Sequence, residues 1–248
     1  MMNNIYINAI KRFTEAHNIE RLNIKTALID MDGVLYDSMK YHTLAWHRLA
    51  TDLGIEATRN EFYLYEGMTG AATINLLYNR AFGKGVDDEE AKRLYAIKAQ
   101  YFTEIGKVET MPHADRMLNT LRDSGIGRVL VTGSGQASIL ERLDIDYPGI
   151  FDLDKRVTAL DVKKGKPHPE PYLMGMTKAG CTCDECIVIE NAPLGIQAGK
   201  AAGCFTIGIT TGPIPKERMT EAGADLVFDS MEDFANKLPE LISALNSL

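Results

Sequence analysis

Asp30 and Asp32 are separated by one residue in Ile29-Asp30-Met31-Asp32-Gly33-Val34, directly after the apolar run Thr26-Ala27-Leu28. A short apolar run of this kind predicts a buried parallel strand. The pair then falls at the C-terminal end of that strand, the edge where open α/β sheets bind ligands. Gly33 permits a tight turn just beyond it. Two carboxylates this close repel each other, and a divalent cation together with a phosphate substrate offsets that repulsion. Taken alone, the pair also fits an ordinary acidic turn, because Asp and Gly are common turn formers.

Three later segments weigh against the plain turn. Arg128-Val129-Leu130-Val131-Thr132-Gly133-Ser134 is a second apolar strand ending in hydroxyl and small residues. Gly165-Lys166-Pro167-His168-Pro169 sets a lysine just before a proline-started helix. Cys186-Ile187-Val188-Ile189-Glu190-Asn191 is a third strand, ending in an acid and an amide. With its Asp-x-Asp, Thr, Lys and acid/amide motifs in that order, the sequence resembles the haloacid dehalogenase superfamily of phosphotransferases. The resemblance is to the branch that contains β-phosphoglucomutase and related small-molecule phosphatases. It covers nearly the whole chain from about Lys25 onward.

The resemblance implies roles for these residues. Asp30 is expected to be the nucleophile, attacking phosphorus to form an aspartyl-phosphate and so dividing one displacement into two. Asp32 is expected to be the general acid and base, protonating the leaving group and then deprotonating water. Thr132 and the backbone N–H groups of Met31, Asp32 and Gly133, with Ser134 beside them, would hold phosphate oxygens. Lys166 would neutralise the phosphate and the nucleophile. Mg²⁺ would be held by Asp30, the carbonyl of Asp32 and the Glu190-Asn191 pair, a hard oxygen set that suits this ion. Lys163 and Lys164 read as a solvated charge run, and His168 as a loop packing residue.

Three departures from the family pattern bear on metal and substrate. The branch usually carries Glu-Asp where this chain has Glu190-Asn191, so the amide ligates without adding charge. Either metal affinity is weaker or another carboxylate compensates, and Glu66, in Tyr65-Glu66-Gly67-Met68-Thr69-Gly70, is the candidate. The resembling mutases place a lysine and an arginine in this loop to grip a second phosphate, where this chain has Glu66 and Gly70. Gly135-Gln136 likewise lacks the lysine that mutases carry there. His42 and Trp46 do match the mutase pattern, and Trp46 is equally explained as helix core. The leading expectation is therefore a Mg²⁺-dependent phosphohydrolase of a small phosphorylated compound, inorganic pyrophosphate or a sugar phosphate. β-Phosphoglucomutase and a catalytically weakened phosphate-binding protein are the alternatives, the last resting on Asn191 alone.

The elements that must position these residues follow from periodicity. Ile5 to Ile19 predicts an amphipathic helix, with Ile10 and Phe13 at helical spacing, forming an N-terminal extension over residues 1–23 that packs on the core. Residues 39–108 read as helical throughout, with Leu44, Leu49 and Leu53, Ile74, Leu77 and Tyr78, and Leu94, Ile97, Tyr101 and Ile105 near helical spacing. Ser38 is placed to cap the first of these helices, and the segment is expected to form a separate cap domain. Residues 24–38 and 109–248 make the core domain. From Met111 onward helix and strand alternate: a helix from Pro112, a strand at Val129, a helix over Ala137 to Leu143, a strand over Val157 to Leu160, and three further pairs. Such a series predicts an α/β fold with a Rossmann-like parallel sheet between helices and an inserted all-helical cap. Gly133-Ser134-Gly135 is no dinucleotide fingerprint, since the third glycine is missing.

Composition narrows the partners. The 248 residues carry a net charge of −7 and are 45% hydrophobic and 25% charged, ordinary for a globular protein. No basic stripe suggests nucleic acid. No run reaches membrane-spanning length, and no signal-like start is present, so a cytoplasmic monomer or small homo-oligomer acting on a small phosphorylated metabolite is expected. Cys181, Cys183 and Cys186 lie close together and read as reduced structural thiols, a zinc site with Cys204 being the less favoured reading.

Overall fold

The computed structural model describes residues 4–247; residues 1–3 and 248 lie outside the described residues. In chain order the elements are α1 (Asn4–His17), β1 (Thr26–Ile29), α2 (Met39–Asp52), α3 (Glu61–Leu64), α4 (Gly70–Phe82), α5 (Asp88–Ile105), α6 (Ala114–Asp123) and β2 (Gly127–Val131). They continue with α7 (Ala137–Leu140), α8 (Leu143–Asp146), β3 (Arg156–Val157), α9 (Glu170–Ala179), β4 (Cys186–Glu190), α10 (Pro193–Ala201), β5 (Phe205–Ile209), α11 (Lys216–Glu221), β6 (Leu226–Phe228) and α12 (Met231–Leu245).

The strands form one parallel six-stranded sheet in the order β3-β2-β1-β4-β5-β6. β1 and β4 are buried at every position, which is why they read as continuous apolar runs rather than alternating ones. From β1 the chain winds outward to β2 and β3, then crosses back to β4, so a topological switch point lies beside β1. Ile29 is level with Leu130 on one side and Ile189 on the other. That register delivers the residues after all three strands to a single edge of the sheet.

The amphipathic stripe of α1 (Tyr6, Ala9, Ile10 and Phe13) is buried. Phe13 meets Phe205 edge-on with ring centroids 5.4 Å apart. The N-terminal helix is thus laid against the sheet rather than held out as an arm.

The helices α2 to α5, inserted between β1 and β2, gather an apolar cluster of their own around Trp46, Leu49, Phe62, Ile74, Leu77 and Leu94. Trp46 stacks on Phe62 with centroids 6.3 Å apart. Side chains fix two of the helix starts: Thr69 accepts from the Ala72 N–H at 3.3 Å and Asp87 from the Glu90 N–H at 2.8 Å. The two linkers to the sheet pair with each other, Asp37 N–H donating to Glu109 O at 3.0 Å and Met111 N–H to Leu35 O at 2.8 Å.

Four expectations are corrected. Leu44 is exposed, because α2 turns Ala45, Trp46 and Leu49 inward instead. The helix expected from Pro112 starts at Ala114, since His113 adopts a left-handed backbone at φ 68°. The single helix over Ala137 to Leu143 is two short ones, α7 and α8. The strand expected to reach Leu160 stops at Val157, because the Thr158 N–H and hydroxyl both turn onto Asp161 Oδ2 at 2.8 Å.

Candidate active site

Asp30 follows β1, and its N–H donates to Ile189 O at 3.1 Å, which locks it between the central strands. Lys166, from the loop after β3, points into the sheet with a fully buried side chain. Its Nζ donates to Asp30 Oδ1 and Glu190 Oε1, each at 2.5 Å, and to Val131 O at 3.1 Å. Burial pushes the Asp30 carboxyl up; Lys166 opposes this, while Glu190 and Asp32 add to it. One lysine among three acids cannot neutralise the cluster, so a further cation at Asp30 is favoured electrostatically.

Glu190 departs from the expectation that it faces a metal. Lys166 and the Tyr172 hydroxyl, at 2.6 Å, occupy Oε1, and the N–H groups of Asn191 and Ala192, at 3.0 and 3.3 Å, occupy Oε2. A carboxylate has about four lone-pair directions, and all are taken. Glu190 therefore anchors Lys166 and is not left free to bind a cation directly.

Asp32 takes a hydrogen bond from Ser38 Oγ at 2.5 Å and from His42 Nε2 at 3.0 Å, both to Oδ1. Ser38 precedes α2 but makes no side-chain cap; the expected capping hydroxyl serves Asp32 instead. Behind His42 stands Lys98 on α5, whose Nζ donates to His42 Nδ1 at 2.5 Å. Burial alone would raise the Asp32 carboxyl, but His42, Ser38 and Lys98 outweigh it and hold it below the ordinary range. Burial and the Lys98 charge in turn lower His42; with Nδ1 accepting from Lys98, Nε2 is the nitrogen that donates to Asp32. His42, expected to bind substrate, lines the pocket but is directed at Asp32.

Around these acids the sheet edge offers hydrogen-bond donors. Thr132 Oγ1 accepts from the Ser134 N–H at 3.0 Å, leaving its own proton to give. The N–H groups of Met31, Asp32 and Gly133 take no backbone partner among the described residues. Such a nest of free amides suits a phosphate. Met31 itself is fully buried in the apolar core.

The segment 65–69 closes over this edge. A Cβ on Gly133 would collide with the Gly67 carbonyl, so the two loops touch only because residue 133 is glycine. Glu66 Oε1 accepts from Asn191 Nδ2 at 2.8 Å. Burial raises the Glu66 carboxyl well above the ordinary range; the Asn191 bond opposes this, and Asp30, Glu190 and Asp32 reinforce it. Asn191 Oδ1 is buried and has no hydrogen-bond partner. An orphaned amide oxygen on the residue that follows β4 suits a hard divalent cation, whose preferred ligands are oxygens. Asp30, the carbonyl of Asp32, Asn191 Oδ1 and Glu66 are the groups that could supply oxygens to one.

Other candidates stand apart. His168 is exposed and accepts from the Glu170 N–H at 3.1 Å within its own loop. Lys163 and Lys164 are exposed. The cysteines are free thiols, with burial pushing Cys204 up to about 12. Among the described residues no group of three or more His, Cys, Asp and Glu is arranged to hold a metal. Sequence reasoning missed Lys98 and Tyr172; each sits in an apolar helix pattern that reads as plain core.

A family model of the haloacid dehalogenase-like hydrolases matches residues 24–203. The chain belongs to this family. It also sits in the β-phosphoglucomutase-like branch. Hexitol phosphatase A of Escherichia coli is 33% identical over 216 residues, covering 85% of this chain and 93% of that protein. β-Phosphoglucomutase of Bacillus subtilis is 29% identical over 221 residues, covering 87% and 93%. A solved Bacteroides vulgatus chain, provisionally described as a β-phosphoglucomutase, is 44% identical with a TM-score of 0.95, covering 99% of this chain and 100% of that chain. Among the described residues no helix is long and apolar enough to cross a membrane.

Proposed function

We propose that this protein is a Mg²⁺-dependent phosphohydrolase that works through an aspartyl-phosphate on Asp30 and acts on a compact substrate, inorganic pyrophosphate foremost. The observation that carries the reading is the lining of the space over Asp30 and Asp32, bounded by Trp46, Glu66, Tyr95 and Lys98 from the inserted helices. A hexose bisphosphate needs a cation for its distal phosphate. The loop from Tyr65 to Gly70 supplies no cation, and Lys98 is engaged with His42.

In this reading Asp30 attacks phosphorus, and the bond from phosphorus to the leaving oxygen breaks. Asp32, an ionised carboxylate at rest, takes up a proton as the substrate binds and passes it to the departing oxygen. A water then attacks the phosphoryl group, Asp32 takes its proton, and the Asp30 carboxylate is released with orthophosphate. Thr132 and the free amides of residues 31, 32 and 133 hold the equatorial oxygens throughout. Lys166 keeps Asp30 aligned and balances its charge. Bound Mg²⁺ supplies the positive charge that lets an anionic nucleophile approach an anionic phosphate.

A second reading, β-phosphoglucomutase, is favoured by the 44% identical Bacteroides vulgatus chain. One panel separates the two: Mg²⁺-dependent release of phosphate from pyrophosphate and sugar phosphates, set beside isomerisation of β-glucose 1-phosphate with a bisphosphate activator. Rapid pyrophosphate hydrolysis supports the first reading; vigorous isomerisation with slow hydrolysis overturns it.

A further inference from the structure

Residues 63–69 cross the sheet edge as a strap. Tyr63, on α3, packs onto a cluster of Ile196, Ile214 and Met219, which belong to α10, the loop after β5 and α11. Glu66 accepts from Asn191, just after β4. Gly67 lies against Gly133, after β2, and a Cβ on Gly165, in the loop after β3, would strike Thr69. In the strand order β3-β2-β1-β4-β5-β6 these contacts run from one flank of the sheet to the other. At the β2 and β3 end the strap rests on close approaches that glycines allow. At the β5 end it rests on one aromatic ring seated among apolar side chains. We propose that Tyr63 is a positioning residue that anchors the strap at its β5 end and so holds the Glu66 carboxylate where it can reach the divalent cation.

Glu66 needs such an anchor. Asp30, Glu190 and Asp32 all act against its ionised form, so like charges push the carboxylate away from the sheet edge. The hydrogen bond that draws it in comes from a neutral amide, Asn191 Nδ2. Tyr63 and Glu66 stand three residues apart, the spacing that puts two side chains on one side of a helical turn, and both line a cavity with Asn191 and Ile214. The turn that seats the ring therefore delivers the carboxylate. The seat is also tied to the acids. Thr211, in the loop that carries Ile214, donates to Gly33 O at 2.6 Å, one residue beyond Asp32. Apolar contact is carried by the ring, so phenylalanine serves there as well as tyrosine. One side of the seat is a cleft bounded by Tyr63, Leu64, Pro213 and Ile214 and open to solvent. Removing the ring thus leaves a wet notch rather than a closed void, a smaller burden on folding than a core cavity.

This inference rests on the cation position proposed above. The test uses Mn²⁺ as the probe, with binding to the resting protein read by loss of the free-ion electron paramagnetic resonance signal and folding checked by urea midpoints. Wild type is compared with Tyr63→Phe, Tyr63→Ala, Ile214→Ala, Glu66→Ala and the double variant Tyr63→Ala with Glu66→Ala. Tyr63→Ala and Ile214→Ala are each expected to weaken Mn²⁺ about 10-fold, the lower end for groups that support a metal site, while Tyr63→Phe binds as wild type. In the Glu66→Ala background, Tyr63→Ala is expected to add nothing, because the ring acts through that carboxylate. Ile214→Ala reads the same contact from the sheet side and decides the matter should Tyr63→Ala not fold. Unchanged affinity in Tyr63→Ala, an equal further loss in the Glu66→Ala background, or no rescue by phenylalanine overturns the anchor and leaves the proposed function standing. Wild-type affinity in Glu66→Ala overturns the anchor as well. Failure of wild type to bind Mn²⁺ overturns the cation position and the anchor together.

Discussion

Glu66 on the inserted segment and Asn191 after β4 are joined by a hydrogen bond of 2.8 Å across the seam between the helices and the sheet. The amide nitrogen faces Glu66, which leaves the amide oxygen turned away and unpaired. A neutral residue thus stands where the family usually carries an aspartate, with a carboxylate drawn in beside it. On the reading proposed above, docking of the inserted helices is what brings the Glu66 carboxylate to the cation.

Removing that carboxylate separates the two. Glu66→Ala is expected to raise the Mg²⁺ concentration needed for half-maximal activity, with a loss of about 10–100-fold typical of groups supporting a metal site. Titration of steady-state turnover against Mg²⁺ measures it. Unchanged turnover and unchanged Mg²⁺ dependence contradict a role for Glu66 at the cation.

Lys166 is the counter-charge for two buried acids, Asp30 and Glu190. Lys166→Ala leaves both unpaired in the sheet. A cost of about 3–5 kcal/mol is expected from breaking a buried ion pair on one side, together with loss of turnover. Urea denaturation of the variant and wild type at neutral pH reads the difference.

Lys98 gives the fold a pH signature. Burial lowers its ammonium from the usual 10.5 to about 7, with Asp32 opposing. Between about 7 and 10.5 the unfolded chain then binds a proton that the folded chain does not, so this group makes stability rise with pH across that window. Its destabilising effect is complete below about 7 and gone above 10.5. Lys98→Met removes the group, so its stability relative to wild type should be greatest near neutrality and decline toward alkaline pH. Denaturant midpoints across that range test it; a pH-independent difference contradicts a neutral buried lysine.

Gly133 sets how closely the inserted segment approaches the acids. A methyl group at Gly133→Ala would push the Gly67 carbonyl away. A displacement of about 1 Å in a positioned site costs on the order of 10²-fold in rate, so turnover should fall about that much while the circular dichroism spectrum is unchanged. Near-wild-type turnover would show that the seam need not close for the reaction.

Asp30, Thr132, Lys166 and Asn191 were legible in the sequence because each follows or precedes an apolar run whose period marks a buried strand or a helix start. The parallel sheet and the inserted helices followed from the same periodicity. What sequence reasoning did not show lies where one residue has two competing partners. Ser38 reads as a helix cap, yet its hydroxyl is drawn to Asp32, since donating to a buried carboxylate is a charge-assisted bond, whereas accepting from a helix N–H half open to water is a neutral one. Glu190 reads as a metal ligand, yet Lys166 and Tyr172 reach it first from loops distant in sequence. Lys98 sits in a helix whose neighbours Leu94 and Phe102 are core, and nothing local marks its ammonium as buried.

The most direct test of the account is a rapid acid quench during hydrolysis of radiolabelled pyrophosphate with Mg²⁺, followed by peptide mapping. The account predicts a hydroxylamine-labile label on the peptide that contains Asp30, absent from Asp30→Asn, which should also be inactive. Turnover without label on that peptide, or an Asp30→Asn variant with full activity, would contradict it.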